Sequence, residues 1–562
     1  MKKNTCWLLA VLLMIATSCQ SQSFSIDSSR IVANPINLNY QFQPEENSYR
    51  EAADPVCEYF NGKYYLFASK SGGYWSSPDL CNWTYISCKS ITTIDAYAPT
   101  VFEYDGMLYY LASGGNPQIF RTSTPDKDNW ELIDTKFSYG NTDPSFFLDD
   151  DGKVFLYWGC SNEDPIVGVE VDPKDGFKAL STPDTLITHR YKEYGWEAPG
   201  DYNEKDENGW NEGPCLIKYK NRYYLQYAAP GTQFRVYADG IYIADHPLGP
   251  YTYVESNPFS FKPGGFIGGA GHGHTFKDKY GNYWHVASMK ISIRHMFERR
   301  LGLFPVYISN DDNVYQHSVF TDYPFRIPDG PTDFEKDNLF MNWNLLSYQK
   351  AVSASSSLPD YRPESGNDEQ VETWWASAGG NVGEWWQIDL GEMMEVNALQ
   401  VNFADHDFNH TASSPYPLYQ YKIESSDNGS KWEQIVDKTD NTKDAPHGLI
   451  VLNKAIKTRF LRITNTRLLD GKFSLSGFRV FGTGNGTPPP IVTDIVIDRN
   501  NTDRRMISFR WNKGANATGY IIHWGVKENK LNNALMVFDS QPIYRFFNRF
   551  SSYYFTIDSF NE

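Results

Sequence analysis

DPVCEYFNGKYYLFAS, residues 54–69, reads as an apolar strand, a two-residue Asn-Gly turn and a second strand, which together describe a β-hairpin. The phrase returns as APTVFEYDGMLYYLAS (98–113), DPSFFLDDDGKVFLYWG (143–159), EGPCLIKYKNRYYLQYA (212–228) and HGHTFKDKYGNYWHVAS (272–288). One hairpin cannot bury its own faces, so copies recurring every 44 to 70 residues or so predict the blades of a propeller. Five copies predict five blades. Innermost strands of a propeller run side by side around its axis, so equivalent positions at their ends converge. The leading residues are Asp54, Ala98, Asp143, Glu212 and His272, and three carboxylates and a histidine are therefore expected in one patch.

An Asp-Pro or Glu-Gly-Pro at a strand start is by itself a turn signal. Three in register on five repeats point to chemistry. Hydrolysis of a glycosidic bond needs one carboxylic acid to protonate the leaving oxygen and one carboxylate to activate water on the opposite sugar face. A third carboxylate nearby raises the acid's pKa by like-charge repulsion.

Together the phrases resemble glycoside hydrolase family 43, five-bladed propeller enzymes that act with inversion on furanosides and pyranosides of plant-type polysaccharides, over roughly residues 35–330. The resemblance implies Asp54 in AADP as general base, Asp143 in TDPSFFLDDDG as the pKa-tuning, substrate-orienting acid, and Glu212 in NEGP as general acid. His272 in GAGHGH resembles the family's axial histidine, which sits beside a calcium or a water, and His274 competes for that place. The chemistry requires no cofactor, and a structural Ca2+ in the channel near His272 is the metal the resemblance implies. Arg299, before LGLFPV, is the implied partner of Asp143, with Arg300 a close rival. The activity implied is that of an α-L-arabinofuranosidase, with β-xylosidase on the same triad as its rival. A non-catalytic carbohydrate-binding lipoprotein is the reading from another class, and the intact carboxylate set disfavours it.

Sugars pack their C–H faces on flat rings, which makes Trp75, Tyr97, Trp158, Trp196 and Trp210 candidate platforms. The long segment HRYKEYGWEAPGDYNEKDENGW (189–210) is expected to wall the site, and its Glu193, Glu197, Asp201 and Glu204 are rival acids. Asp149, Asp150 and Asp151 before Gly152 read as a hairpin turn, because the remaining ligands of a calcium loop are missing.

The chain of 562 residues has 16% aromatic and 21% charged residues, which suits a large β-protein with rings packed between sheets. A formal charge of −17 without a basic stripe argues against nucleic acid, and a neutral carbohydrate is the expected partner of a monomer. The length demands several domains. Residues 1–19 form a lipoprotein-type signal, with an apolar stretch from Trp7 to Ala16 and Cys19 as the lipidated residue. A lipid would then be the sole membrane anchor, in the periplasm or outer membrane of a Gram-negative-type bacterium. The all-β propeller occupies 30–330. Two β-sandwiches follow. The runs GEWWQIDLGEMMEVNALQVNF (383–403), YKIESSDNGSKWEQI (421–435), RFLRITNTR (459–467) and LSGFRVFG (475–482) resemble a discoidin-like (factor 5/8 type C) domain over 342–483. Its Trp374, Trp375, Trp385 and Trp386 are candidates equally for core and for sugar contact. After the stiff linker Thr487-Pro488-Pro489-Pro490, ISFRWNKGANATGYIIHWG (507–525) and YYFTIDSFNE (553–562) resemble an incomplete fibronectin type III sandwich over 490–562, lacking its closing strand and so leaving an exposed edge. Beyond Cys6 and Cys19, Cys57, Cys160 and Cys215 are expected as small buried hydrophobes, while Cys81 and Cys88 flank a turn and could bridge.

Overall fold

A computed structural model describes residues 27–43, 49–409, 418–484 and 486–561. The signal segment expected at 1–19 lies outside the described residues. Each repeat becomes an antiparallel sheet whose strands follow chain order outward from the axis. The first blade is Val56–Phe60, Lys63–Phe67, Gly73–Ser77 and Thr84–Ser87. The other four start from Thr100–Tyr104, Ser145–Leu148, Glu212–Tyr219 and Gly268–Lys277. These five innermost strands neighbour one another in sequence order, and the fifth lies beside the first, which closes the ring. Ile31–Val32 pairs with Phe325–Arg326, tying the two ends of the propeller together.

Alternation along the strands sends rings into the layers between blades. Phe67, Tyr74 and Trp130 fill the layer between the first two, and Phe102, Phe146 and Phe177 the next. All five described cysteines are free. The bridge expected between Cys81 and Cys88 is absent because the two thiols serve different layers. Cys81 packs with the layer between the fifth and first blades, whereas the Cys88 thiol donates to Asp128 Oδ1 at 3.3 Å.

The second domain is a β-sandwich whose eight described strands are joined in one antiparallel ladder built around Trp385–Phe403, His447–Arg467 and Ser474–Thr483. Trp375 and Trp386 are its core. Trp374 packs at a tilt on Tyr361 and His406, and Arg462 lies over the partly exposed Trp385. Residues 496–560 form two three-stranded sheets, with Tyr554–Phe560 at an edge. Trp511, Trp524 and Phe546 between them belong to the same apolar core as Trp196 and Tyr227 of the propeller, so this unit is packed onto the third and fourth blades.

Candidate active site

At the mouth of the ring four of the five inner strands carry a non-glycine residue held in the left-handed region, just ahead of the strand in the first three blades and at an irregularity within Gly268–Lys277 in the fifth. The φ values are +50° at Asp54, +46° at Ala98, +51° at Asp143 and +46° at His272, with Gly213 at +57° in the fourth blade. This corrects the register read from the sequence: the leading residue of the fourth repeat is Gly213, and Glu212 sits one position earlier, where the second blade has Tyr97. A left-handed L-residue costs roughly 1–2 kcal/mol. Hydrogen bonds at the turn offset part of that cost. The N–H groups of Asp54, Ala98 and Asp143 donate to Ser288, Ser69 and Ser113 Oγ at 2.7, 2.7 and 2.8 Å. The N–H of His272 donates to Asp239 Oδ1 at 2.7 Å. Each serine closes the Ala-Ser end of a neighbouring phrase, a recurrence visible in the sequence whose purpose appears only here.

These turns deliver Asp54, Asp143, Glu212 and His272 to one cavity of about 370 Å³, with Tyr97, Trp210, Phe297 and Arg299 in its wall. His272 Nδ1 lies 3.4 Å from Asp54 Oδ1 and 3.6 Å from Asp143 Oδ2. Ligating atoms of Asp143, Glu212 and His272 all fall within 4.8 Å of one another. Asp54 accepts from Ser69 Oγ at 2.6 Å and from Arg299 at 3.0 Å. Burial pushes its carboxyl up, but Arg299, His272, Ser69 and Ser288 together outweigh that and hold it below the usual carboxylate range. Asp143 is raised to about 7, first by burial and then by Glu212 and Asp54, against the pull of His272. For His272, burial lowers the pKa, but Asp54, Asp143 and Glu212 overcome it and the net shift is upward. Glu212 accepts from Tyr237 Oη at 2.6 Å on Oε1 and from the Cys160 thiol at 3.0 Å on Oε2.

Several expected assignments are corrected. Arg299 pairs with Asp54 and, at 2.6 Å, with Glu51, and not with Asp143. Arg300 points away, to His447 of the second domain at 2.9 Å. Trp75 and Trp196 are fully buried in blade cores. Trp158 packs on Phe137 and Tyr139 and is not part of the cavity wall. Of the proposed platforms, Tyr97 and Trp210 line the cavity. Most of 189–210 docks instead on the third domain, through a Tyr194 to Asn548 bridge and the close fit of Gly195 against Arg545 and Phe547. Its rival acids are engaged elsewhere: Glu193 with Arg190, Glu197 with Tyr227, and Asp201 and Glu204 at a separate cavity where the three domains meet. His274 lies below the site with its pKa pushed down by burial to about 3. Cys160 is a cavity residue and not the buried hydrophobe expected. Cys160, Tyr237, Glu51, Asp239 and the three serines had no site signal of their own in the sequence.

The cluster of Asp143, Glu212 and His272 would supply only part of a calcium ion's shell, the rest having to come from water. Calcium takes six to eight oxygen ligands. Asp143 and Glu212 offer an oxygen each, and the third group is an imidazole. That imidazole is itself drawn toward its cationic form by the same carboxylates. Further down the axis, Asp239, His285, Thr275 and Gln226 are hydrogen-bonded among themselves.

Residues 49–314 match Glycosyl hydrolases family 43, and residues 351–476 match the F5/8 type C domain. The chain is 27% identical over 258 residues to the Beta-D-galactofuranosidase xynD of Aspergillus niger, covering 40% of this chain and 68% of that protein. It is 29% identical over 217 residues to a Xylan 1,3-beta-xylosidase of a Vibrio species, covering 35% of this chain and 37% of that one. A solved structure titled Glycoside hydrolase superposes with a TM-score of 0.46 at 20% identity, over 76% of this chain and 97% of its own. Because the family model spans residues 49–314, the blades that carry the cavity, the propeller is a glycoside hydrolase domain of family 43, followed by an F5/8 type C domain, and the protein is a glycosidase.

Proposed function

We propose that the protein is an exported, inverting glycosidase that removes furanosyl residues, α-L-arabinofuranosyl above all, from plant-type polysaccharides or oligosaccharides. The observation that carries the reading is the delivery of three carboxyls in three different environments to one cavity. Asp54, held ionised by Arg299 and His272, is the base that takes a proton from water. Glu212, with a donor on each oxygen, is the acid that protonates the leaving group. Asp143 between them keeps negative charge from accumulating by holding its own proton at about 7. Support for a furanoside comes from the Aspergillus niger relative, named a β-D-galactofuranosidase. That sugar shares the ring configuration of α-L-arabinofuranose and differs in the exocyclic arm. The Vibrio relative's name supports β-xylosidase as the alternative substrate class.

A second reading follows from the raised carboxyl of Asp143, which could itself serve as the acid. Aryl glycosides separate the two. Glu212→Gln is expected to lose roughly 100- to 10,000-fold on an unactivated glycoside and far less on a dinitrophenyl glycoside, whose leaving group needs no proton. If only Asp143→Asn shows that split, the roles exchange. Assay of arabinofuranoside, galactofuranoside and xyloside side by side, with the anomer released followed by proton NMR, tests substrate and inversion together. Retention of configuration refutes the mechanism.

A further inference from the structure

The serine ladder is interrupted at two boundaries: between the fourth and fifth blades Asp239 takes the serine's place under His272 N–H, and between the third and fourth blades the side chain is missing altogether. Gly159 stands there in the place of Ser69 and Ser113. Its N–H donates to Thr142 O at 2.9 Å, as theirs do to Ala53 O and Tyr97 O at 2.8 and 2.9 Å. On the facing side Gly213 occupies the left-handed position. Neither glycine carries a side chain, so the contact between blades is made one residue out from each, by Cys160 and Glu212. The Cys160 Sγ is 3.0 Å from Glu212 Oε2 and lines the cavity. Tyr237 holds the other oxygen at 2.6 Å, so the carboxyl plane of Glu212 is fixed from both ends. Asp143 also lies within hydrogen-bonding reach of the thiol.

We propose that Cys160 is a positioning residue for the acid: its thiol orients Glu212 and, as a weak donor, leaves that carboxyl able to carry the proton the leaving group receives. The inference rests on the assignment of Glu212 as acid. A hydrogen bond to the ionised form of a carboxyl stabilises that form, and a hydroxyl donates more strongly than a thiol. A serine at this place would hold Glu212 too firmly as carboxylate, and an alanine would leave Oε2 without its partner. Cys160 does not act as a nucleophile, since burial first, and then Glu212 and Asp143, raise its pKa and keep the thiol protonated.

The test uses full-length Cys160→Ser and Cys160→Ala, with kcat and KM measured against pH on an unactivated and a dinitrophenyl arabinofuranoside, or on the equivalent pair for whichever sugar is cleaved. The basic limb of the rate profile should move down by about half a pH unit in Cys160→Ser and up in Cys160→Ala. The loss of kcat should be larger on the unactivated substrate, with KM changed less than about twofold. Basic limbs that coincide with wild type in both variants, or equal losses on both substrates, overturn the proposal. Glu212→Gln assayed alongside separates the failures. If it is inactive while the Cys160 variants behave as wild type, the positioning role alone falls. If it retains full activity on the unactivated glycoside, the acid assignment falls and takes this proposal with it.

Discussion

Asp54 and Asp143 occupy the same repeat position, share a left-handed backbone and are both buried, yet they carry protons differently. The difference is their partners. Arg299 and His272 outweigh burial at Asp54, whereas Asp143 has His272 set against Glu212 and Asp54 and rises to about 7. The two therefore affect stability in opposite senses. Asp54, lowered in the fold, contributes stability that is present above its unfolded value and lost as pH falls through the folded one. Asp143, raised in the fold, keeps a proton that the unfolded chain releases near pH 4, so stability declines as pH rises from about 4 to about 7. That window corresponds to a penalty on the order of a few kcal/mol. Asp143→Asn should abolish it: its melting temperature should match wild type near pH 4 and exceed it by several degrees at pH 7.5, even though activity falls. Calorimetric curves that stay parallel across that range would show that Asp143 titrates normally.

The element that sets the site is the turn into each inner strand. The hairpins, the five blades and the convergence of their ends were legible because apolar alternation and Asn-Gly or Asp-Gly turns are local signals. The one-residue offset of Glu212 was not, since Asp54-Pro55 and Glu212-Gly213-Pro214 look equivalent until the left-handed residue is located at Gly213. Depth was also hidden: Trp75 and Trp210 are alike in the sequence, but Trp75 lies on a strand sealed between blades, whereas Trp210 precedes a strand at the mouth. The choice of glycine at 213 has a cause in the site. A Cβ there would meet His272 Cδ2 at 2.5 Å, a contact the ring can relieve only by leaving Asp54 and Asp143. Gly213→Ala should therefore cut kcat/KM by at least about tenfold. Ala98→Gly, at the same turn of the blade without a carboxyl, should change stability by less than about 1 kcal/mol, relief of the left-handed conformation opposing the entropy of glycine. Wild-type kinetics for Gly213→Ala would mean that the histidine is not held by that packing.

At the scale of the whole molecule, the second domain is wired to Asp54, the proposed base. Arg50 and Glu51 are neighbours on one short strand, and successive side chains of a strand point to opposite faces. Arg50 enters the second domain, bonding Asp405 at 2.7 Å and Asp444 at 2.7 and 2.8 Å, while Glu51 turns to the opposite side and, buried behind the cavity wall, holds Arg299. The same alternation operates across the facing strand, where Arg299 turns to Asp54 and Arg300 to His447. A loop of the fifth blade is gripped as well. Arg294 bonds the carbonyl of Ala404 and lies over Trp374, close to Met296 and Phe297 of the cavity wall. If the F5/8 type C domain were only a tether, disturbing this interface would leave catalysis untouched. Arg50→Met leaves the buried carboxylates of Asp405 and Asp444 without their arginine, with Tyr419 Oη still donating to Asp405 at 2.9 Å, a change that typically costs about 3–5 kcal/mol, whereas removing their charges as well by Asp405→Asn and Asp444→Asn should recover much of that stability. We expect Arg50→Met to lower both the melting temperature and kcat, since the strand that carries Glu51 is displaced and Arg299 no longer braces Asp54. The triple variant should regain the first and part of the second. Loss of stability with kcat unchanged at a temperature where the variant is fully folded would show that the interface holds the domains together without shaping the site.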